Sequence, residues 1–429
     1  MSPLIVASIL PAVHGPLSGL VKALGAMLPA LHGPVIPALA CLAAAALLLL
    51  LEAREGAGAM EVASLLVLLP LAGVVATAPH VEAAWPALAV ALVVAVLARH
   101  REDLLHSECG IKLLWVMGAA LALSWGGLEL LAISTGTRAL AEQWAVLRLD
   151  LESSIGWSTA LSLSLLVGVV MLGGAPFHFW PADLFQGARP WLAPLAVAGI
   201  QVCGAGWLLS RVDGIEQFPT GQRIVYSLLG TAAWVALVAG GVTLMVQRRP
   251  ERRVGTLASL NGALMLASLA APHRGAMGAG ARDIPLALWA GHLALALAGA
   301  ATLSRFAAVS AGSPSAGPVL FRRHPWSGIL GLYAFFSLAA VPGTPGARLW
   351  LGVARDLVSA GRVGLLLALA VAWLAAFGAA IRQLREAFGV VTPAAPPGRP
   401  VAWQPRAAMW LTGAVLVWMA LSGIAGTSQ

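Results

Sequence analysis

Residues 173–211 read GGAPFHFWPADLFQGARPWLAPLAVAGIQVCGAGWLLSR. Pro176, Pro181, Pro190 and Pro194, together with Gly187, interrupt sequence that is otherwise apolar enough to cross a membrane. A proline removes a backbone donor and crowds the preceding turn, so the stretch reads as a broken helix. Inside a bilayer, broken backbone persists only where protein or a polar cavity surrounds it, the usual setting of an ion or substrate path. At the break sits an aromatic knot, Phe177, His178, Phe179 and Trp180, and the first charge after it is Asp183.

The rest of the chain agrees with a membrane setting. Of its 429 residues 59% are hydrophobic and 10% charged, against roughly 25% charged in a soluble domain, and its mean hydropathy is +0.86. This composition defines a polytopic, all-α membrane protein. The net charge of +8 is therefore no nucleic-acid signature: the arginines fall mostly in short loops, beside anionic headgroups. Cys41, Cys109 and Cys203 lie far apart, in or beside apolar runs, and read as buried thiols without metal-ligand spacing. No basic region precedes the first apolar residues, which predicts no cleaved signal peptide. The chain has two lysines, Lys22 and Lys112. Arginine is effectively never deprotonated, so a proton path here has few lysines to use.

Apolar runs predict spans near 34–52, 59–78, 83–98, 110–133, 157–175, 190–211, 223–247, 254–271, 285–304, 326–342, 346–360, 363–381 and 406–425. The total is about 12–14 helices. Residues 134–156 are polar and predict a loop or short surface helix, 310–318 a flexible loop, and 392–405 an extended Pro-rich connection. The division is N-terminal transmembrane helices over 1–82, a core over 83–390, and a C-terminal linker and helix over 391–429. No phosphate-cradling loop, zinc-type His-Glu motif or nucleophile elbow occurs, and no cofactor is expected on this chain.

Ionisable or polar residues at membrane depth are expensive and mark functional hypotheses. Glu129, in LALSWGGLELLAIS, is either a buried carboxylate that exchanges protons or a helix-end carboxylate paired with an arginine. His178 can relay a proton or cap broken backbone. Asp183 reads as an ion-pair partner of Arg189 ahead of a relay. His292, in LWAGHLALALAG, is a hydrogen-bonded core histidine or a proton carrier. Gln201 can bridge helices but cannot titrate. In VPGTPGARLWLGVARDL, Pro342 and Pro345 precede Arg348, Arg355 and Asp356, predicting a second interrupted helix; two of these are what an inverted-repeat transporter shows.

GGAPFHFWPADLFQGARP resembles the signature of the antiporter-like membrane subunits of respiratory complex I, the subunit N type in particular. Pro176 through Trp180, Asp183, Phe185, Gly187 and Ala188 carry the likeness. GLELLAIS (127–134) resembles that family's Glu-bearing helix, RRVGTLASL (252–260) its Lys-Arg helix start, and FFSLAAVPGTPG (335–346) its second break. The resemblance covers about residues 85–390. It implies about 14 helices, two inverted repeats of five with one broken helix each, and proton movement through buried Glu and Lys driven by quinone reduction elsewhere in the complex. It also implies other membrane subunits and the lipid bilayer as partners, no nucleic acid, and a multi-pass place in the bacterial inner membrane. Glu129 then matches the family's glutamate, and the lysine after the first break falls on Gln201. The lysine after the second break falls near Trp350, with Arg348 close by, and Arg252 stands where the family often has lysine. Since glutamine cannot carry a proton and arginine does not release one, two roles follow: conduction through Glu129, His178, His292 and water, or a non-conducting scaffold. A cation/proton antiporter, a membrane hydrogenase and an inorganic-carbon uptake complex are the related assemblies. The polar stretch 134–156 implies that a helix of the family is shortened or missing.

Overall fold

The structure, a computed structural model, describes residues 104–149, 155–188, 192–215, 219–271, 286–309, 325–388 and 403–425. The spans expected at 34–52, 59–78 and 83–98, the 310–318 loop and most of the Pro-rich connection lie outside them.

Twelve helices occur among the described residues, and no strand. They are α1 (Leu104–Thr135), α2 (Leu140–Leu149), α3 (Ile155–Met171), α4 (Trp180–Gly187), α5 (Leu192–Ile215) and α6 (Pro219–Val246), followed by α7 (Pro250–Leu269), α8 (Leu286–Val309), α9 (Pro325–Leu338), α10 (Pro345–Ser359), α11 (Val363–Phe388) and α12 (Trp403–Ala425). Most are Ala/Leu-rich and apolar all round, as a helix in lipid must be. Their burial separates centre from periphery. The apolar window of α5 is 94% buried, whereas that of α1 is 28% buried and exposes Trp115, Trp125 and Ile133. Alongside α5, α7 is buried from Arg253 to Leu269. Among the described residues of the polar stretch after α1 stands the ten-residue α2.

Two helices are broken. The first break begins four residues earlier than the prolines suggest: α3 stops at Met171 and α4 resumes at Trp180. Pro181 does not interrupt the second piece, because it stands in the first turn of α4, where a proline's missing N–H has no intrahelical partner to lose. The second break separates α9 from α10, with Pro342 inside it and Pro345 opening α10.

Both breaks are Schellman turns. The N–H of Gly173 bonds Val170 O and that of Gly174 bonds Val169 O. Likewise Ala340 bonds Ser337 O and Val341 bonds Phe336 O. Gly173 (φ 75°) and Ala340 (φ 56°) occupy the same left-handed position.

The two halves are inverted. The end of α4 lies at the start of α7, where Asp183 meets Arg252. The end of α11 lies there too, through Glu386 and the buried Arg253. Because α11 begins at the opposite end, directly after α10, the second broken helix exits on the other side from the first. The order α1, α3–α4, α5 thus repeats upside down as α8, α9–α10, α11, with α1 packed on α3 as α8 is on α9.

Candidate functional site

A helix that stops in the middle of a bundle leaves carbonyls without partners, and each must find a donor. At the first break Gln201 of α5 donates from Nε2 to Leu172 O at 3.3 Å and to Ala258 O at 3.0 Å. Ser259 Oγ donates to His178 O at 2.6 Å. At the second break Asn261 Nδ2 donates to Leu338 O at 3.0 Å, and Trp373 Nε1 donates to Ala340 O at 2.9 Å. Three of these contacts use a single turn of α7, through Ala258, Ser259 and Asn261. This helix is a strut between the breaks, and its carbonyl at Asn261 accepts Trp289 Nε1 from α8.

Two close approaches make the site compact. A Cβ on Gly262 would lie 1.8 Å from Leu172 O and 2.9 Å from Gln201 Nε2. On Gly346 it would lie 1.8 Å from Ser337 O and 3.1 Å from His292 Nε2. Each break is therefore wedged against a glycine, one on α7 and one at the start of α10.

His292 is fully buried on α8, its Nε2 2.9 Å from Ser337 Oγ, which also accepts the N–H of Gly346 at 3.3 Å. Nδ1 of His292, Oε1 of Gln201 and Oδ1 of Asn261 are buried polar atoms with no hydrogen-bond partner among the described residues. Such atoms call for ordered water, and they belong to residues that touch the two breaks, Gln201 the first, Asn261 and His292 the second. This axis can hold a wetted hydrogen-bonded chain with one titratable group, His292, on it.

The other candidates lie away from the axis. Glu129 sits six residues before the end of α1, its side chain 41% exposed and 2.9 Å from Arg138, so the structure shows the arginine-paired arrangement. Asp183 pairs with Arg252 of α7 at 3.1 Å; Arg189 lies outside the described residues. His178 is half-buried at the break, with its carbonyl engaged by Ser259. Arg348 is exposed on α10, and the adjacent Trp350 is fully buried. Gly187, against His106 and Cys109 of α1, closes α4. Sequence reasoning missed Ser259, Asn261, Ser337 and Trp373. The only signal was a polar residue inside an apolar run, as in LASLNGALML.

No family model matches the chain. In sequence it is similar to NADH-quinone oxidoreductase subunit N of Acidithiobacillus ferrooxidans, 29% identical over 297 residues, covering 66% of this chain and 56% of that protein. It is also similar to subunit N 1 of Solidesulfovibrio magneticus, 28% identical over 297 residues, covering 66% and 60%. The chain thus spans little more than half the length of these relatives. In structure it superposes on a chain of respiratory complex I from Thermus thermophilus with bound aureothin: TM-score 0.69, 18% identity, 97% of this chain and 96% of that one. A chain of the Mrp complex from Dietzia sp. gives TM-score 0.70 at 15% identity, covering 98% and 90%. The inverted halves and paired breaks define the fold, that of the membrane chains of these two complexes, and four of the described helices are long and apolar enough to cross a membrane. In sequence the resemblance is to subunit N of NADH-quinone oxidoreductase.

Proposed function

We propose that this chain is a membrane subunit of a complex I-like NADH:quinone oxidoreductase and takes part in proton translocation coupled to quinone reduction elsewhere in the assembly. The carrying observation is the buried polar axis between the breaks, with His292 as its titratable member. In this reading the chain binds no redox cofactor, and its partners are the other membrane subunits and the bilayer. His292, Ser337, Asn261 and Gln201 line the route. His292 accepts and releases the proton, while the amides and the hydroxyl orient water. Glu129 lies off this route, paired with Arg138.

A second reading, a scaffold that seals the membrane without conducting, is favoured by Gln201, whose two amide hydrogens are both committed to carbonyls. One experiment separates them. The tagged full-length chain is purified with its assembly, reconstituted in vesicles, and assayed for NADH:quinone turnover and protons moved per electron. Co-purification with that activity and a lower proton ratio in His292→Gln support the first reading. An unchanged ratio leaves the scaffold, and the absence of NADH:quinone oxidoreductase subunits sinks both in favour of a related antiporter, hydrogenase or carbon-uptake assembly.

A further inference from the structure

Aromatic rings stand at the second break beside His292. Trp350 of α10 and Trp373 of α11 lie 5.9 Å apart between ring centroids, and Phe377 follows Trp373 at 6.3 Å. Trp373 donates its indole N–H to Ala340 O. Trp350 makes no such bond. It is fully buried, and its Nε1 has no hydrogen-bond partner among the described residues. An indole N–H is a donor only, and a buried one usually has an acceptor.

The direction of that donor follows from the helix. Trp350 lies one turn after Gly346, so the two share a face of α10. A helical side chain leans toward the N-terminus and covers the turn before its own. Here that turn is bare, because residue 346 is glycine, and it faces the break: a Cβ there would lie 1.8 Å from Ser337 O and 3.1 Å from His292 Nε2. Val353 and Leu357, also buried, keep this face of α10 turned into the bundle. The polar atoms left over at the break are complementary. Trp350 Nε1 donates, Asn261 Oδ1 accepts, and His292 Nδ1 does either according to its tautomer. Buried water, which makes about three hydrogen bonds, connects such a set.

We propose that Trp350 anchors buried water at the second break, its indole N–H donating to a water oxygen in a hydrogen-bonded chain that reaches Nδ1 of His292. Indole does not titrate, so Trp350 is a positioning residue. It carries no proton and fixes the water that gives one to the imidazole or takes one from it. The transfer step rests on the reading of His292 as the proton carrier; the water site does not.

The test uses the full-length protein with its native assembly. In nanodiscs, the ultraviolet resonance Raman difference between wild type and Trp350→Phe isolates this indole among the 16 tryptophans. The expected signature is a hydrogen-bonded N–H that deuterates in D2O. A free N–H overturns the proposal, and so does a bonded one that resists deuteration, which marks a polypeptide or lipid acceptor. If Trp350→Phe does not fold, a wild-type cryo-electron microscopy map that shows water decides instead: density running from Trp350 Nε1 to His292 Nδ1 is expected, and a dry Nε1 overturns the site. In vesicles, Trp350→Phe should move protons about tenfold more slowly, the factor carried by one neutral hydrogen bond. A wild-type rate in Trp350→Phe beside a slowed His292→Gln overturns the positioning role. If His292→Gln is also unchanged, the proton-carrier reading fails by itself, and the Raman signature still decides the water site.

Discussion

At the first break, the acceptors left by α3 and the connecting segment are met by Gln201 and Ser259; at the second, those left by α9 are met by Asn261 and Trp373. The backbone turns are the same, the glycine wedges are the same, and the chemistry is not. The first break is closed by an amide that spends both hydrogens on carbonyls. The second adds a buried imidazole in contact with a hydroxyl. An inverted repeat can thus keep its scaffold in both halves while a fully buried titratable group stands at one. Backbone satisfaction is compulsory at both breaks, because an orphan carbonyl in a bundle costs as much in either half. A titratable side chain is optional: the first break has His178 half-buried, and the second has His292 fully buried.

The largest effect is expected where the halves are alike. Gly262→Val and Gly346→Val each drive a side chain into a carbonyl, and neither protein should accumulate in folded form, as judged by yield after membrane extraction. A folded Gly346→Val alone would show that the second wedge is looser than the first.

Proton transfer should then split the halves. His292→Gln keeps a hydrogen bond to Ser337 but cannot titrate, and the subunit's proton transfer should fall on the order of a hundredfold. Gln201→Leu removes an amide that orients water and should lower it less than His292→Gln does; an unchanged rate would take the first break out of the route.

Stability should reunite them. Gln201→Leu and Trp373→Phe each remove a donor from a buried carbonyl, and each should cost about 1–3 kcal/mol, read by thermal unfolding in nanodiscs. The smallest change concerns the left-handed position. Ala340→Gly relieves a non-glycine residue at φ 56° and should stabilise by about 1 kcal/mol, while Gly173→Ala should cost a similar amount. If Ala340→Gly is destabilising, contacts of the buried methyl outweigh the backbone strain.

Much of this was legible in the chain itself. Hydropathy fixed a polytopic helical protein, and PFHFW with the later VPGTPG located both interruptions. Composition also flagged Gln201 and His292 as polar residues inside apolar runs. The place of Glu129 was less legible: its neighbours in sequence are apolar, yet its carboxylate meets Arg138, nine residues on, at an exposed helix end. Prolines misplaced the first break as well, because a proline in the first turn of α4 starts a helix as readily as it ends one.

Sequence by itself determined which segments enter the membrane, since transfer of apolar side chains is a local, additive property of the residues. It also determined that two of those segments break, since proline and glycine act on their own backbone. Which side chains repair the breaks was decided only by the tertiary structure. Leu172 is met by Gln201 from 29 residues away and Leu338 by Asn261 from 77. A hydrogen bond depends on distance and direction in space, and no spacing along the chain announces that α7 will stand between the two breaks and serve both.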